Sequence, residues 1–119
     1  MKIAIIGAGM SGLACADRLG ALGHQVKLFD KARGLGGRMS TRRISTDAGE
    51  ASFDHGAQYF TVRDARFQSV VEGWHTAGVA APWYAVSSDS WVGTPAMNAP
   101  IKWMAARHDV AWSTRIEAI

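Results

Sequence analysis

The chain has 119 residues, 48% of them hydrophobic and 19% charged, a composition for one modest globular domain and not for a disordered tail or a membrane protein. Its single cysteine excludes a disulfide framework and a cysteine-built zinc cage. The net charge of +3 is local: Lys31, Arg33, Arg38, Arg42 and Arg43 fall within thirteen residues without an acid, leaving eight basic against ten acidic residues elsewhere. That distribution suits an anionic ligand better than a protein that coats nucleic acid, with a solvated basic loop as the plainer alternative.

Lys2, the apolar run from Ile3 and the small residues Ala14-Cys15-Ala16 imitate a secretory leader. Gly7, Gly9 and Gly12 interrupt the imitation, and no run approaches the ~18 apolar residues of a membrane span. A cytoplasmic protein with no membrane or nucleic-acid partner is expected. Ile3-Ala4-Ile5-Ile6 reads as a strand buried on both faces. Ser11 to Leu22 changes to helical spacing, with Leu13, Ala16, Leu19 and Leu22 on one stripe and Gly23 as the stop. Val26 to Phe29 is a second strand ending at Asp30, which completes a βαβ unit.

Between strand and helix stands Gly7-Ala8-Gly9-Met10-Ser11-Gly12, a G-x-G-x-x-G pattern, and Asp30 follows eighteen residues after its last glycine. The first glycine permits a tight turn, the second lets a pyrophosphate approach the backbone, and the third lets helix pack on strand. The helix start then presents free N–H groups to a diphosphate, and the aspartate suits ribose hydroxyls. A bare glycine pattern is weak; in this strand–helix–strand setting it is strong. Cys15 reads as a small packing residue.

A glycine-rich basic loop follows, in which Asp30 is separated by five residues from Gly36-Gly37-Arg38. The acid, the spacing and the Gly-Gly-Arg resemble the FAD-binding half of the amine-oxidase-like flavoproteins. With Gly37-Arg38-Met39-Ser40-Thr41-Arg42-Arg43, Phe53-Asp54-His55-Gly56-Ala57-Gln58-Tyr59-Phe60-Thr61 and Trp91-Val92-Gly93-Thr94-Pro95-Ala96-Met97-Asn98, the chain is similar to the renalase branch of that superfamily. The resemblance implies an FAD-dependent oxidoreductase that takes hydride from misreduced dihydronicotinamide dinucleotides. Electrons pass on to oxygen, giving hydrogen peroxide. An amine oxidase on the same scaffold, or a non-catalytic dinucleotide-binding module, are the alternatives.

Carried over by position, the resemblance implies that Gly7, Gly9, Ser11 and Gly12 line the diphosphate and that Asp30 holds the adenosine ribose with Lys31 beside it. Gly37 and Arg38 would reach the diphosphate, and His55, Gly56, Ala57, Gln58 and Tyr59 would run along the flavin ring. Arg115-Ile116 would lie near the adenine, and Gln58, Tyr59, Phe60 and Thr61 would border the substrate. Read locally, Asp54-His55 is an ordinary turn, and Tyr59 and Phe60 are core aromatics. No residue is singled out as a catalytic acid or base.

Further along, Asp64 caps a helix with Phe67, Val70, Val71 and Trp74 on its apolar stripe. Strands are expected over Val79–Val86 and Ser90–Val92, and Thr94-Pro95 reads as a cap with proline at the first helical position, leading to Ile101, Met104 and Ala105. Val110 to Ile119 would give a third strand for the nucleotide-binding sheet. The four scattered histidines show no ligand spacing, so no metal is expected. The fold class is α/β: a Rossmann-like FAD-binding βαβ unit plus the beginning of a mixed α+β substrate domain. Residues 1–60 with 108–119 would form the FAD-binding part, and 61–107 the start of an incomplete substrate domain. Enzymes of the resembled branch are roughly three times as long, so a truncated and inactive form is the expectation.

Overall fold

The computed structural model describes residues 1–35 and 37–119, so Gly36 of the basic loop lies outside the described residues. The architecture is α/β, and the chain forms two compact units. One comprises Met1–Gly37 with Ile101–Ile119, and the other Arg38–Pro100. The sequence expectation puts the divisions at 60/61 and 107/108 instead.

In the first unit, β1 (Lys2–Ile6), α1 (Met10–Ala21) and β2 (Gln25–Phe29) follow one another as expected. A third strand, β8 (Asp109–Ala111), pairs with β2, so the parallel sheet has the order β1-β2-β8. Its register sets Ile5 against Leu28 and Leu28 against Val110. Leu13, Ala16, Leu28, Ile101 and Met104 form the buried core here. The helix ends in a Schellman motif: Gly23 has φ +85°, its N–H donates to the Gly20 carbonyl, and the His24 N–H donates to Leu19.

Four expectations are corrected in this unit. Cys15, expected to pack, is exposed on α1. β1 is covered on one face only; Ile3 and Ile5 are half-buried, whereas Ala4 and Ile6 are exposed, because α1 packs on one side of the strand pair. Leu22 lies outside the apolar stripe because it is the C-cap residue, past the last helical turn, and is exposed. The third strand stops at Ala111 instead of running to Ile119. Ser113 takes a left-handed φ of 52°, and the Ser113 and Thr114 N–H groups turn to the Ala32 and Asp30 carbonyls.

The second unit begins with a short 3-10 turn (Gly37–Met39, from Arg38 onward) and a hairpin of β3 (Thr41–Thr46) and β4 (Gly49–Asp54). Then come β5 (Phe60–Thr61), α2 (Ala65–Thr76), β6 (Ala80–Pro82) and β7 (Ser90–Gly93), the three strands forming an antiparallel sheet of order β5-β7-β6. Val71 and Trp74 are buried on α2, and the Phe60, Phe67 and Trp74 rings meet at centroid distances of 5.9–6.1 Å. Val70, expected on that stripe, is exposed because its position on the helix turns away from the ring cluster.

Here too the expected bounds shift. β6 ends at Pro82, which cannot donate to a ladder, and Trp83 to Val86 make a turn closed by Val86 N–H to the Trp83 carbonyl. α3 (Ala99–Ala105) starts at Ala99 and not at Pro95; Thr94–Pro95 is a cis peptide, and Pro100 occupies the first turn, where its missing N–H leaves no intrahelical bond unmade. Among the described residues no helix is long and apolar enough to cross a membrane.

The start of α2 supplies a test. Asp64 caps it by accepting from the Arg66 N–H at 2.8 Å and the Phe67 N–H at 3.3 Å, and its carboxylate also meets the Arg66 guanidinium at 3.1 Å. The Arg66 side chain first, and the two N–H groups next, hold the Asp64 carboxyl below its ordinary range. A lowered folded-state value stabilises the fold above the ordinary aspartate range and is lost as pH falls through the lowered value. Asp64→Ala should therefore melt below the wild type at neutral pH, with the gap closing on acidification. Melting curves across the acid range check this; a gap independent of pH would contradict it.

Candidate functional site

The end of β1 runs straight into Gly7, which has φ +100° and donates its N–H to the Phe29 carbonyl at 2.8 Å. This bond draws the ends of β1 and β2 together. Three glycines then act for three different reasons. Gly7 is required by its backbone angle, which L side chains rarely adopt. At Gly12 a Cβ would overlap the Gly7 carbonyl, so this glycine is what lets α1 approach the turn. At Gly9 a Cβ would meet nothing within 4 Å. The fold itself places no demand on Gly9.

Gly9 is also the N-cap of α1, without a side-chain cap, and the first turn carries no acid. The helix start therefore offers uncapped backbone donors and the positive end of its dipole to an anion. Ser11 sits exposed on that first turn.

Asp30 is the fixed point opposite. One carboxylate oxygen accepts from the Ala8 N–H at 2.8 Å and the other from the Ala32 N–H at 2.8 Å. A carboxylate has about four acceptor positions, so both oxygens keep capacity for ligand hydroxyls. Asp30 and Gly7 share a cleft of about 260 Å³ with Ile6, Phe29, Lys31, Thr114, Arg115 and Ile116. The expected residues Gly7, Asp30, Lys31 and Ile116 thus come together. Thr114 escapes sequence reasoning; its signal is the backbone bond to the Asp30 carbonyl at 2.8 Å, which only the folded chain shows.

Gly9, Ser11 and Gly12 lie on the adjoining turn and helix start, outside the cleft lining; Gly37 closes the first unit, and the other expected residues belong to the second. There the Arg38 carbonyl accepts from the Ala57 N–H at 2.6 Å and the Ser40 carbonyl from the His55 N–H at 2.9 Å. Gly56 fits that approach because a Cβ would overlap the Arg38 carbonyl. His55, Gly56, Gln58 and Tyr59 are exposed, Ala57 and Phe60 are half-buried, and Thr61 is exposed on β5. Tyr59 meets the exposed Trp83 ring edge-on at 6.1 Å. Asp54, to which the sequence gives no role, accepts from the Thr41 hydroxyl and from the Met97 N–H at 3.0 Å, which ties the hairpin to the turn after β7. Among the described residues no group of three or more potential metal ligands occurs.

Residues 5–74 match the NAD(P)-binding Rossmann-like domain, more than half of the chain. The chain belongs to that family. Over 40 residues it is 60% identical to a 4,4'-diapophytoene desaturase (4,4'-diaponeurosporene-forming) of Staphylococcus haemolyticus, covering 34% of this chain and 8% of that protein. The same enzyme of Staphylococcus aureus strain Newman is 55% identical over 40 residues, with the same coverage. The chain therefore matches less than a tenth of the length of these relatives. An oxidoreductase of solved structure from Methanosarcina mazei is 35% identical, with 51% of this chain and 14% of that one covered and a TM-score of 0.40.

The contrast among the glycines can be tested. Gly12→Ala should destabilise the fold severely, because the contact it forces is with backbone. Gly9→Ala should leave the melting temperature nearly unchanged while weakening binding of inorganic pyrophosphate. Equal thermal losses in the two variants would refute the assignment.

Proposed function

We propose that this chain is the dinucleotide-holding part of an FAD-dependent oxidoreductase, with the diphosphate on the Gly7–Gly12 turn and the adenosine ribose on Asp30. The observation that supports this most is the Asp30 carboxylate, fixed by two backbone donors beside Gly7 yet with acceptor positions to spare. The bare backbone at Gly9 and the uncapped start of α1 fit a diphosphate. Lys31 and Arg115 add positive charge at the cleft rim. FAD in preference to a nicotinamide dinucleotide rests on the Gly-Gly-Arg segment of the basic loop after Asp30.

The finer reading is a renalase-type oxidase, with a dihydronicotinamide dinucleotide as small-molecule substrate and oxygen as second substrate. Bound FAD would supply the acceptor for hydride from the dihydronicotinamide carbon; its two electrons and one proton, with a second proton from solvent, would end on oxygen as hydrogen peroxide. Gln58, Tyr59, Phe60 and Thr61 would then orient the substrate ring, and His55 to Tyr59 would run along the flat cofactor, where the small Gly56 and Ala57 allow close backbone approach. A second reading, a desaturase, is favoured by the 60% identity over 40 residues.

Two measurements test the cofactor reading. Purified protein supplied with FAD should bind it, showing flavin absorbance and releasing intact FAD on denaturation; stoichiometric NAD uptake without flavin would overturn it. Asp30→Asn keeps the shape but removes the charge behind hydrogen bonds worth ~1.5–3 kcal/mol. FAD affinity should fall by about one to two decades, and an unchanged titration would remove Asp30 from the ribose site.

A further inference from the structure

Away from the cleft, the first unit contains a cluster that the cofactor reading does not use. Asp17 lies on α1, and both of its carboxylate oxygens are engaged: one accepts from Arg107 Nη2 at 2.9 Å, the other lies 2.6 Å from His108 Nε2. The His108 side chain is 13% exposed and that of Asp17 33%, against 50% and 66% for the ion pair Lys27–Asp109. The Arg107 guanidinium is held from the other side by the Trp103 ring, 4.1 Å from its centroid. An acceptor-only carboxylate requires the hydrogen on His108 Nε2, so the contact also fixes the imidazole's orientation.

The position of this clasp in the chain is what gives it meaning. Arg107 and His108 directly precede β8, which pairs with β2 over only three residues. So short a ladder fixes its register weakly, and a slip by one residue would move the strand about 3.3 Å and turn its side chains over. Whatever β8 does is passed on to Thr114, Arg115 and Ile116, which line the cleft with Gly7 and Asp30. On the far side of β8 the wall is held to β2's end by the Ser113 and Thr114 N–H bonds to Ala32 and Asp30. The clasp holds the near side.

We propose that Asp17, with His108 and Arg107, is a positioning group for the nucleotide site: it sets β8 on β2 and so places the Thr114–Ile116 wall for an adenosine diphosphate group. The proposal rests on the reading of that cleft as the adenosine site. None of the three residues lines the cleft, so their effect on binding runs through β8. A plain stabilising staple would lower stability without selecting among ligands. The clasp should selectively weaken a ligand that reaches the wall.

The test compares ADP with inorganic pyrophosphate, which is confined to the glycine turn, in Asp17→Ala, His108→Ala and the double variant, with amide exchange at Ser113 and Thr114 in the free protein. Each single variant should lose about three- to tenfold in ADP affinity, the double variant no more than either, and pyrophosphate affinity should stay within about twofold. His108→Gln, which keeps a donor for Asp17, should recover part of the loss. The Thr114 amide should exchange faster in Asp17→Ala. Should the alanine variants fail to fold, Asp17→Asn and His108→Gln carry the same comparison, with smaller shifts. Parallel losses for ADP and pyrophosphate, or unchanged ADP affinity, would overturn the proposal. If the wild type binds no ADP, the adenosine reading fails by itself, and an unchanged Thr114 exchange rate in Asp17→Ala separately removes the clasp's hold on the wall.

Discussion

The two hydrogen bonds that Asp30 accepts, from the Ala8 and Ala32 N–H groups at 2.8 Å each, join the loop after β1 to the loop after β2. Each of those loops would otherwise leave a backbone donor unpaired where the strands end, at a cost of about 1–3 kcal/mol if buried. Ala8 is 2% exposed, so for that donor the penalty applies in full. The same carboxylate is thus an internal brace at the floor of the cleft, and the proposed ribose contact would use the same two oxygen atoms.

The glycine turn depends on that brace and in turn limits it. Gly7 brings the ends of β1 and β2 within bonding distance through its N–H to Phe29. Gly12 then lets the helix start lie against the Gly7 carbonyl, so the donors at the start of α1 and the carboxylate of Asp30 are held by one short piece of backbone. An arrangement made this way owes little to side-chain rotamers. It is stiff for the same reason that it is intolerant of substitution.

The βαβ unit was legible because its residues are close in sequence and each local preference agrees with the fold. Leu13 with Ala16, Gly23 and Asp30 stand where the pattern puts them, and Ile3 to Ile6 form the expected strand, covered on one face only. What sequence could not give were features set by distant partners. Helical spacing cannot distinguish the exposed Val70 from the buried Val71, since only the ring cluster decides between them. The end of β8 at Ala111 follows from bonds to residues 30 and 32, and the roles of Asp54, Thr114 and Asp17 follow from contacts across long stretches of chain. The late start of α3 has a local sign: Pro100, and not Pro95, lies in its first turn.

The separation of β8 from its partner also sets an order of assembly. β1, α1 and β2 are adjacent in the chain, as are β3 and β4, so both sets form through short-range contacts. The β2–β8 ladder instead joins residues about 80 positions apart, and the entropy of closing so long a loop falls due before its three register pairs return anything. During synthesis the glycine turn and Asp30 therefore stand complete while the strand that carries Thr114 to Ile116 has yet to be made. The stretch from Thr114 to Ile116 then closes the cleft, and a local opening of the folded unit is expected to release that stretch first.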